Sequence, residues 1–296
     1  MLEDLTIGRN APTHTEGEQY HMMPRIHLYV LASGSKGNAA VVEGPEGSVL
    51  VDCGISRRAL HQRAQAVGCD LDSVVAVLLT HEHSDHTGGL TVIANHFDGP
   101  FYTTAGTATG RKFLSAVPFR LIDHDAQLDL AGMRVQCFPT SHDVNDPMCF
   151  RFEVAPGADG TDGDALGWVT DTGYLTDEAL DALYGCRILG IESNHDRKML
   201  ANGPYPAYLK ARIASELGHL SNDQCASALA TLVTTETETV VGLHLSQHNN
   251  RPSLAVRAMA EALDAESTNS TFTEARTPDG ALTICVASQD EPLAVY

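Results

Sequence analysis

The sequence predicts an α/β fold with two layers of mixed sheet and helices outside, built as one domain. Three observations lead there. From residue 26 onward, short runs rich in Val, Ile and Leu alternate with turn residues and with segments of helical period. No fixed-period repeat and no low-complexity linker breaks that alternation. A chain of 296 residues with 43% hydrophobic composition is long enough and apolar enough to bury a substantial core.

Residues 1 to 24 are polar and aperiodic, and are expected to be a disordered extension or an expression remnant, which leaves 25–296 as the domain. "RIHLYVLA", "AAVVEG" and "SVLVDCG" are apolar runs separated by the turn sequences "SGSKGN" and "GPEG", which makes them three successive strands. A helix follows in "SRRALHQRAQAVG", where Ser56 is placed to cap and Leu60 and Ala64 share one face. "SVVAVLLT" is a buried strand running into a His-rich loop, and "TGGLTVIANHF" beyond that loop is a helix. Further strands are expected at "MRVQCFPT", "CFRFEVA", "LGWVTDTG" and "CRILGIES", with helices near 176–184, 205–217 and 221–233. The alternation closes with the strand "TVVGLHLS" and the helix "RPSLAVRAMAEAL", while "APGADGTDGDALG" reads as a mobile surface loop.

Composition removes several classes of function. No apolar run reaches the roughly 18 residues of a membrane-spanning helix, and "MLEDLTIGRN" lacks the features of a secretion signal, so a cytoplasmic location without a membrane partner is expected. Seven cysteines stand singly, without C-x-x-C spacing, and are expected as reduced, buried thiols. A net charge of -19 argues against a broad basic surface that grips nucleic acid by counterion release. A polyanionic substrate would need bound metal to supply local positive charge.

"LLTHEHSDHTGGL" carries the chemistry, because His81, His83, Asp85 and His86 crowd together directly after an apolar strand. Side chains two apart in an extended segment point the same way, so His81 and His83 can share one ion. Asp85 and His86 come where the chain turns towards a helix and can face a second. Imidazole and carboxylate donors suit Zn, Fe or Mn, and the lack of neighbouring thiolates argues against a structural cysteine-type zinc site. A solvated His-rich loop is the bland alternative. His142 in "PTSHD", Asp171 in "VTDTG" and His244 in "GLHLS" each end an expected strand and are the candidates to complete the two sites. Taken singly, such residues are more often ordinary turn or core positions.

"THEHSDHTGG" resembles the HxHxDH signature of the metallo-β-lactamase fold. The resemblance implies a four-layer αββα sandwich, with His81, His83 and His142 on one metal, Asp85, His86 and His244 on the other, and Asp171 bridging. His83 in place of a Glu sets the chain apart from the diiron flavoprotein branch. Two divalent cations roughly 3.5–4 Å apart can hold a bridging water as hydroxide and stabilise charge on the attacked centre. Asp85 is expected to orient that hydroxide as well as to serve as a ligand, and Asp143 and Thr170 are candidates to brace the imidazoles from behind.

Four smaller motifs, "ASGSKGNA", "GIESNHD", "GHLSND" and "HLSQHNNRP", together resemble the YycJ (WalJ) family over roughly residues 26 to 255. That resemblance implies 5′ to 3′ exonuclease action, with DNA ends, single-stranded or 5′-phosphorylated, as the partner and DNA repair as the setting. Each motif also has a local reading. Gly34 and Gly37 allow a turn whose N–H groups, with Ser35, Lys36 and Asn38, cradle a phosphate, or else make a plain hairpin turn. Next to a metal pair, His219 gives a proton to a leaving alkoxide or binds a phosphate oxygen, or else it is a satisfied helix-cap histidine. Ser221 is placed to cap the next helix, and with Asn222 it joins the candidate substrate contacts. Asn194 and His195 bind substrate or brace Asp196 and the metal shell. Ser246, Asn249 and Asn250 hydrogen-bond a phosphate or hold their loop.

Arg111, Lys112, Arg197, Lys198, Lys210 and Arg212 are available for a local basic rim. The tail after about residue 266 falls outside the resemblance. Two other functions stay open at this point. One is hydrolysis of a small phosphodiester, lactone or ester on the same fold. The other is a metal-binding regulatory protein without turnover.

Overall fold

The computed structural model describes residues 25–157 and 162–296. The expected extension at 1–24 and the centre of the "APGADGTDGDALG" loop lie outside the described residues. The strands, in chain order, are β1 (His27–Ala32), β2 (Ala39–Gly44), β3 (Gly47–Val51), β4 (Val74–Leu78), β5 (Phe101–Thr103), β6 (Phe119–Leu121), β7 (Gln127–Leu130), β8 (Met133–Pro139), β9 (Met148–Val154), β10 (Asp164–Val169), β11 (Ile188–Glu192), β12 (Thr239–Leu243), β13 (Glu266–Ser267), β14 (Glu274–Arg276), β15 (Thr283–Val286) and β16 (Leu293–Val295). The α-helices are α1 (Arg57–Ala66), α2 (Ser84–Thr87), α3 (Leu90–Ala94), α4 (Ala105–Gly110), α5 (Asp177–Leu183), α6 (Arg197–Asn202), α7 (Ala207–Ile213), α8 (Asn222–Leu232) and α9 (Pro252–Ala262).

Two mixed sheets face each other, as the sequence predicts. One runs in the order β16-β1-β2-β3-β4-β5-β6, the other β13-β14-β15-β12-β11-β10-β9-β8-β7. Strands of central position read as unbroken apolar runs: β4, "VVAVL", is parallel to both β3 and β5, and its Ala76, Val77 and Leu78 are buried. Towards the sheet edge β8 alternates instead, with Met133, Val135 and Cys137 turned inward and Arg134 exposed.

Three apolar layers result. Val42, Val51, Val135, Phe150, Leu166, Trp168 and Leu243 fill the space between the sheets. Leu31, Leu50, Leu60, Leu90 and Phe101 pack the first sheet against α1 and α3. Ala179, Ile191, Cys225, Leu229, Val256 and Met259 pack the second against α5, α8 and α9. The order is therefore helix, sheet, sheet, helix.

Capping follows sequence closely at two helices. Ser56 accepts from the Ala59 N–H at the start of α1, whose Leu60 and Ala64 are buried. Ser221 and Gln224 form a reciprocal capping box on α8. The helix expected over "TGGLTVIANHF" is shorter, α3 covering Leu90–Ala94, and the His-rich loop before it holds a helical turn of its own, α2; the chain around them presses against the loop after β3. A Cβ on Gly89 would stand 2.0 Å from the Ile55 carbonyl oxygen, and one on Gly54 would stand 1.6 Å from that of Asp85. The tail is not an appendage. β15 runs parallel to β12 and β16 pairs with β1, so residues beyond 266 extend both sheets.

Candidate metal centre

Every candidate ligand leaves the carboxyl end of a strand. His81 and His83 follow β4, with Asp85 and His86 on α2; His142 follows β8, Asp171 follows β10 and His244 follows β12. Asp52 after β3 and Glu192 at the end of β11 occupy equivalent places. Asp52, Asp171 and His244 have φ of 60°, 53° and 53°, in the left-handed region that residues other than glycine avoid. The chain thus turns sharply at three strand ends that carry site residues, and accepts local strain of order 1–3 kcal/mol at each.

His81, His83 and His142 form one group. The Nδ1 of His142 donates to the Gly218 carbonyl at 3.0 Å, which leaves Nε2 as a lone pair 3.2 Å from Nδ1 of His83. The Nδ1 of His81 lies 3.0 Å from the Thr80 hydroxyl, and its Nε2 is buried without a partner. Burial holds all three rings below the ordinary histidine range, His83 at about 4, so they present neutral nitrogens.

Asp85, His86 and His244 form the adjacent group. Asp85 Oδ2 is 3.4 Å from Nε2 of His244 and 3.7 Å from Nε2 of His86. Asp171 lies between the groups, with Oδ2 at 3.2 Å from Nε2 of His86 and Oδ1 at 3.8 Å from Nε2 of His142. Here carboxylates brace the rings. His86 Nδ1 donates to Asp52 at 2.7 Å, and His244 Nδ1 donates to Glu192 at 3.0 Å. Burial works against charge on both rings, yet Asp171, Asp52 and Asp85 raise His86, and Asp171, Asp85 and Glu192 raise His244 to about 10.

Glu192 is fully buried and accepts four hydrogen bonds: from His219 and His244 on Oε1, and from the backbone N–H groups of Thr172 and Leu220 on Oε2. Burial pushes its pKa up, but the His219 and His244 rings outweigh that and hold it at about 2. Asp52 likewise receives the Thr80 N–H and hydroxyl as well as His86. Neither carboxylate stood among the candidates read from sequence, although each ends an apolar strand in the same manner as Asp171. Of the bracing candidates, Thr170 donates to Asp171 at 2.7 Å, and Asp143 is ion-paired with Arg212 with its Oδ1 3.7 Å from Nε2 of His142.

The donor set fits divalent metal. The Nε2 of His142 and the Nδ1 of His83 point at each other at 3.2 Å, the Nε2 atoms of His81 and His244 are buried and make no hydrogen bond, and two carboxylates lie among them. His81, His83, His142 and Asp171 would hold one ion, and Asp85, His86, His244 and Asp171 the other.

The candidate substrate residues divide. Ser35, Asn194 and Ser246 line, with His142, His219 and Arg212, a cavity of about 210 Å³. Lys36 is exposed beside it, its N–H held by Gln289. Asn38 is turned inward, where its side chain ties Gly34 to the Asp85 and His86 segment. Ser221 caps α8, and Asn222 bonds Ser193 and Asn250, so both face the interior network. His195 lines a different cavity.

Residues 48–245 match the model of the β-lactamase superfamily domain. The chain belongs to that superfamily. Exodeoxyribonuclease YycJ of Bacillus anthracis is 34% identical over 250 residues, 81% of this chain and 89% of the relative. Exodeoxyribonuclease WalJ of Streptococcus pneumoniae (strain D39) is 31% identical over 240 residues, 79% of this chain and 87% of that one. Within the superfamily the chain belongs to the YycJ/WalJ family. Among solved structures, the metallo-β-lactamase fold protein YhfI from Bacillus subtilis matches with a TM-score of 0.61 at 15% identity, over 91% of this chain and 99% of that one. A diphosphatase from the PhnP family matches with a TM-score of 0.59 at 18% identity, over 91% and 97%. Those two likenesses concern the fold.

Proposed function

We propose that this chain is a metal-dependent phosphodiester hydrolase that degrades DNA from a 5′ end. The observation that carries the reading is the convergence of seven donor side chains in two adjacent groups that share Asp171, next to a cavity lined by hydroxyl and amide groups. The YycJ and WalJ relatives, named as exodeoxyribonucleases, supply the substrate class. Two divalent cations, Mn, Zn or Fe by donor type, would supply Lewis acidity and hydroxide at neutral pH.

The chain's own residues do the rest. Asp171 and Asp85 fix the spacing of the two groups and contribute the negative charge that retains cations. Glu192 holds His219 by Nδ1 at 2.8 Å, and although burial works against charge on the ring, Glu192 and Asp171 raise its pKa, so the ring protonated at Nε2 as well can give that proton to the leaving oxygen. Ser35, Asn194 and Ser246 are the hydrogen-bonding contacts for the phosphate and sugar of the terminal nucleotide. A DNA substrate, a role in repair at DNA ends and seven unpaired cysteines agree with a cytoplasmic setting. Among the described residues no helix is long and apolar enough to cross a membrane.

The test is digestion of linear DNA labelled separately at each end, with and without a 5′ phosphate, beside matched RNA, in Mn and in Zn. Stepwise release from the 5′ end that disappears in Asp171→Ala is expected. Intact DNA with turnover of small phosphodiesters or esters would move the substrate to that class. Bound metal without turnover of any of them would leave a regulatory metal protein.

A further inference from the structure

The basic residues available for a rim do not converge. Arg212 is paired with Asp143 at the metal cavity, and Arg111 and Lys112 lie at the end of α4. Arg197 and Lys210, however, share with His195 and Gln224 a separate cavity of about 500 Å³ among α6, α7 and the start of α8. Lys210 Nζ donates to the Ala201 carbonyl at 2.7 Å and has no carboxylate partner among the described residues. Arg197 reaches Ser221 and Asp223 through Nε alone, so its two terminal nitrogens make no hydrogen bond among the described residues. His195 is 2% exposed and its Nδ1 has no partner. On a chain of net charge -19, two under-used cations and an unpartnered imidazole on one concavity form an exception that needs a cause.

α7 separates this cavity from the metal cavity. Leu209, Arg212 and Ile213 line the metal side, and Lys210, Ala211 and Ala214 line the other. No residue of α7 is buried, so the helix is a ridge and not part of the core. Tyr208 on that ridge is 75% exposed. The two cavities are about one helix diameter apart, roughly 10–12 Å with side chains.

We propose that the cavity behind α7 is a second phosphate subsite, which holds the backbone of a single DNA strand whose scissile bond lies at the candidate metal centre. The strand crosses the α7 ridge, where Tyr208 offers a face for a base, and sets a further phosphate against Lys210, Arg197 and His195. This inference rests on the nuclease reading above.

The experiment compares wild type with Lys210→Ala and Arg197→Ala on a single-stranded oligonucleotide and on bis(4-nitrophenyl) phosphate, which is too small to span both cavities. The expected result is a several-fold higher KM for the oligonucleotide with kcat on the chromogenic ester retained. The dependence of log K on log salt should become shallower by about 0.7 for each phosphate that the variant no longer neutralises, and Lys210→Arg should restore it. If Lys210→Ala loses chromogenic turnover, Lys210→Gln, which keeps the stem, carries the same comparison. An unchanged KM and salt slope on DNA would overturn the subsite while leaving the nuclease reading intact. Failure of the wild type to bind or cleave DNA, with the ester still hydrolysed, would overturn both.

Discussion

In the half of the candidate centre built by His81, His83 and His142, the braced rings rest on a hydroxyl and a backbone carbonyl; in the other half, His86 and His244 each donate to a buried carboxylate. The neutral braces leave their rings neutral and short of charge. The carboxylate braces sit in a region that also holds Asp85 and Asp171, where each buried charge depends on the others for compensation. Bracing partners fix ring orientation and tautomer, and with them metal affinity. The second half should therefore be the more sensitive to loss of a brace.

Glu192→Gln gives the largest expected effect of this kind. The amide nitrogen that replaces one oxygen would face either two imidazole N–H donors or two backbone N–H donors, since all four partners of Glu192 donate to it. Metal affinity should fall by about 10–100-fold, read by competition with a chromophoric chelator. Wild-type affinity in the variant would show that Glu192 is a structural carboxylate only.

Thr80→Val probes the first half and should cost less. It removes the hydroxyl that links Asp52 to His81, but leaves His86 on Asp52. A stability loss of about 1 kcal/mol is expected from the missing hydrogen bond, read by chemical denaturation, with a metal affinity less reduced than in Glu192→Gln. A larger loss of affinity in Thr80→Val than in Glu192→Gln would reverse the comparison.

Much of this architecture was legible. The long apolar runs and their turns predict the central strands, and the crowding of His81, His83, Asp85 and His86 points to the site, because a ligand-rich loop after a buried strand is hard to explain otherwise. Asp52 and Glu192 carry the same strand-end signal as Asp171, yet no dense cluster surrounds them in sequence. Their role depends on side chains 27 to 52 residues away. Asn38 sits in a predicted loop and Ser221 and Asn222 at a predicted helix start, yet all three point inward, because side-chain direction at such places is set by hydrogen bonds and not by a local period. β5, β6 and β16 span three residues each, too few to show alternation, and β16 pairs with β1 from the far end of the chain.

The most direct measurement is metal content per chain, by elemental analysis after loading with Mn or Zn and desalting, in wild type and in Asp171→Ala, paired with phosphodiester turnover on the same samples. The account predicts two ions in wild type, fewer in the variant, and loss of turnover in the variant. A wild type that retains one ion or none while fully active, or an Asp171→Ala protein that keeps two ions and its activity, would contradict a centre in which Asp171 is shared by two metals.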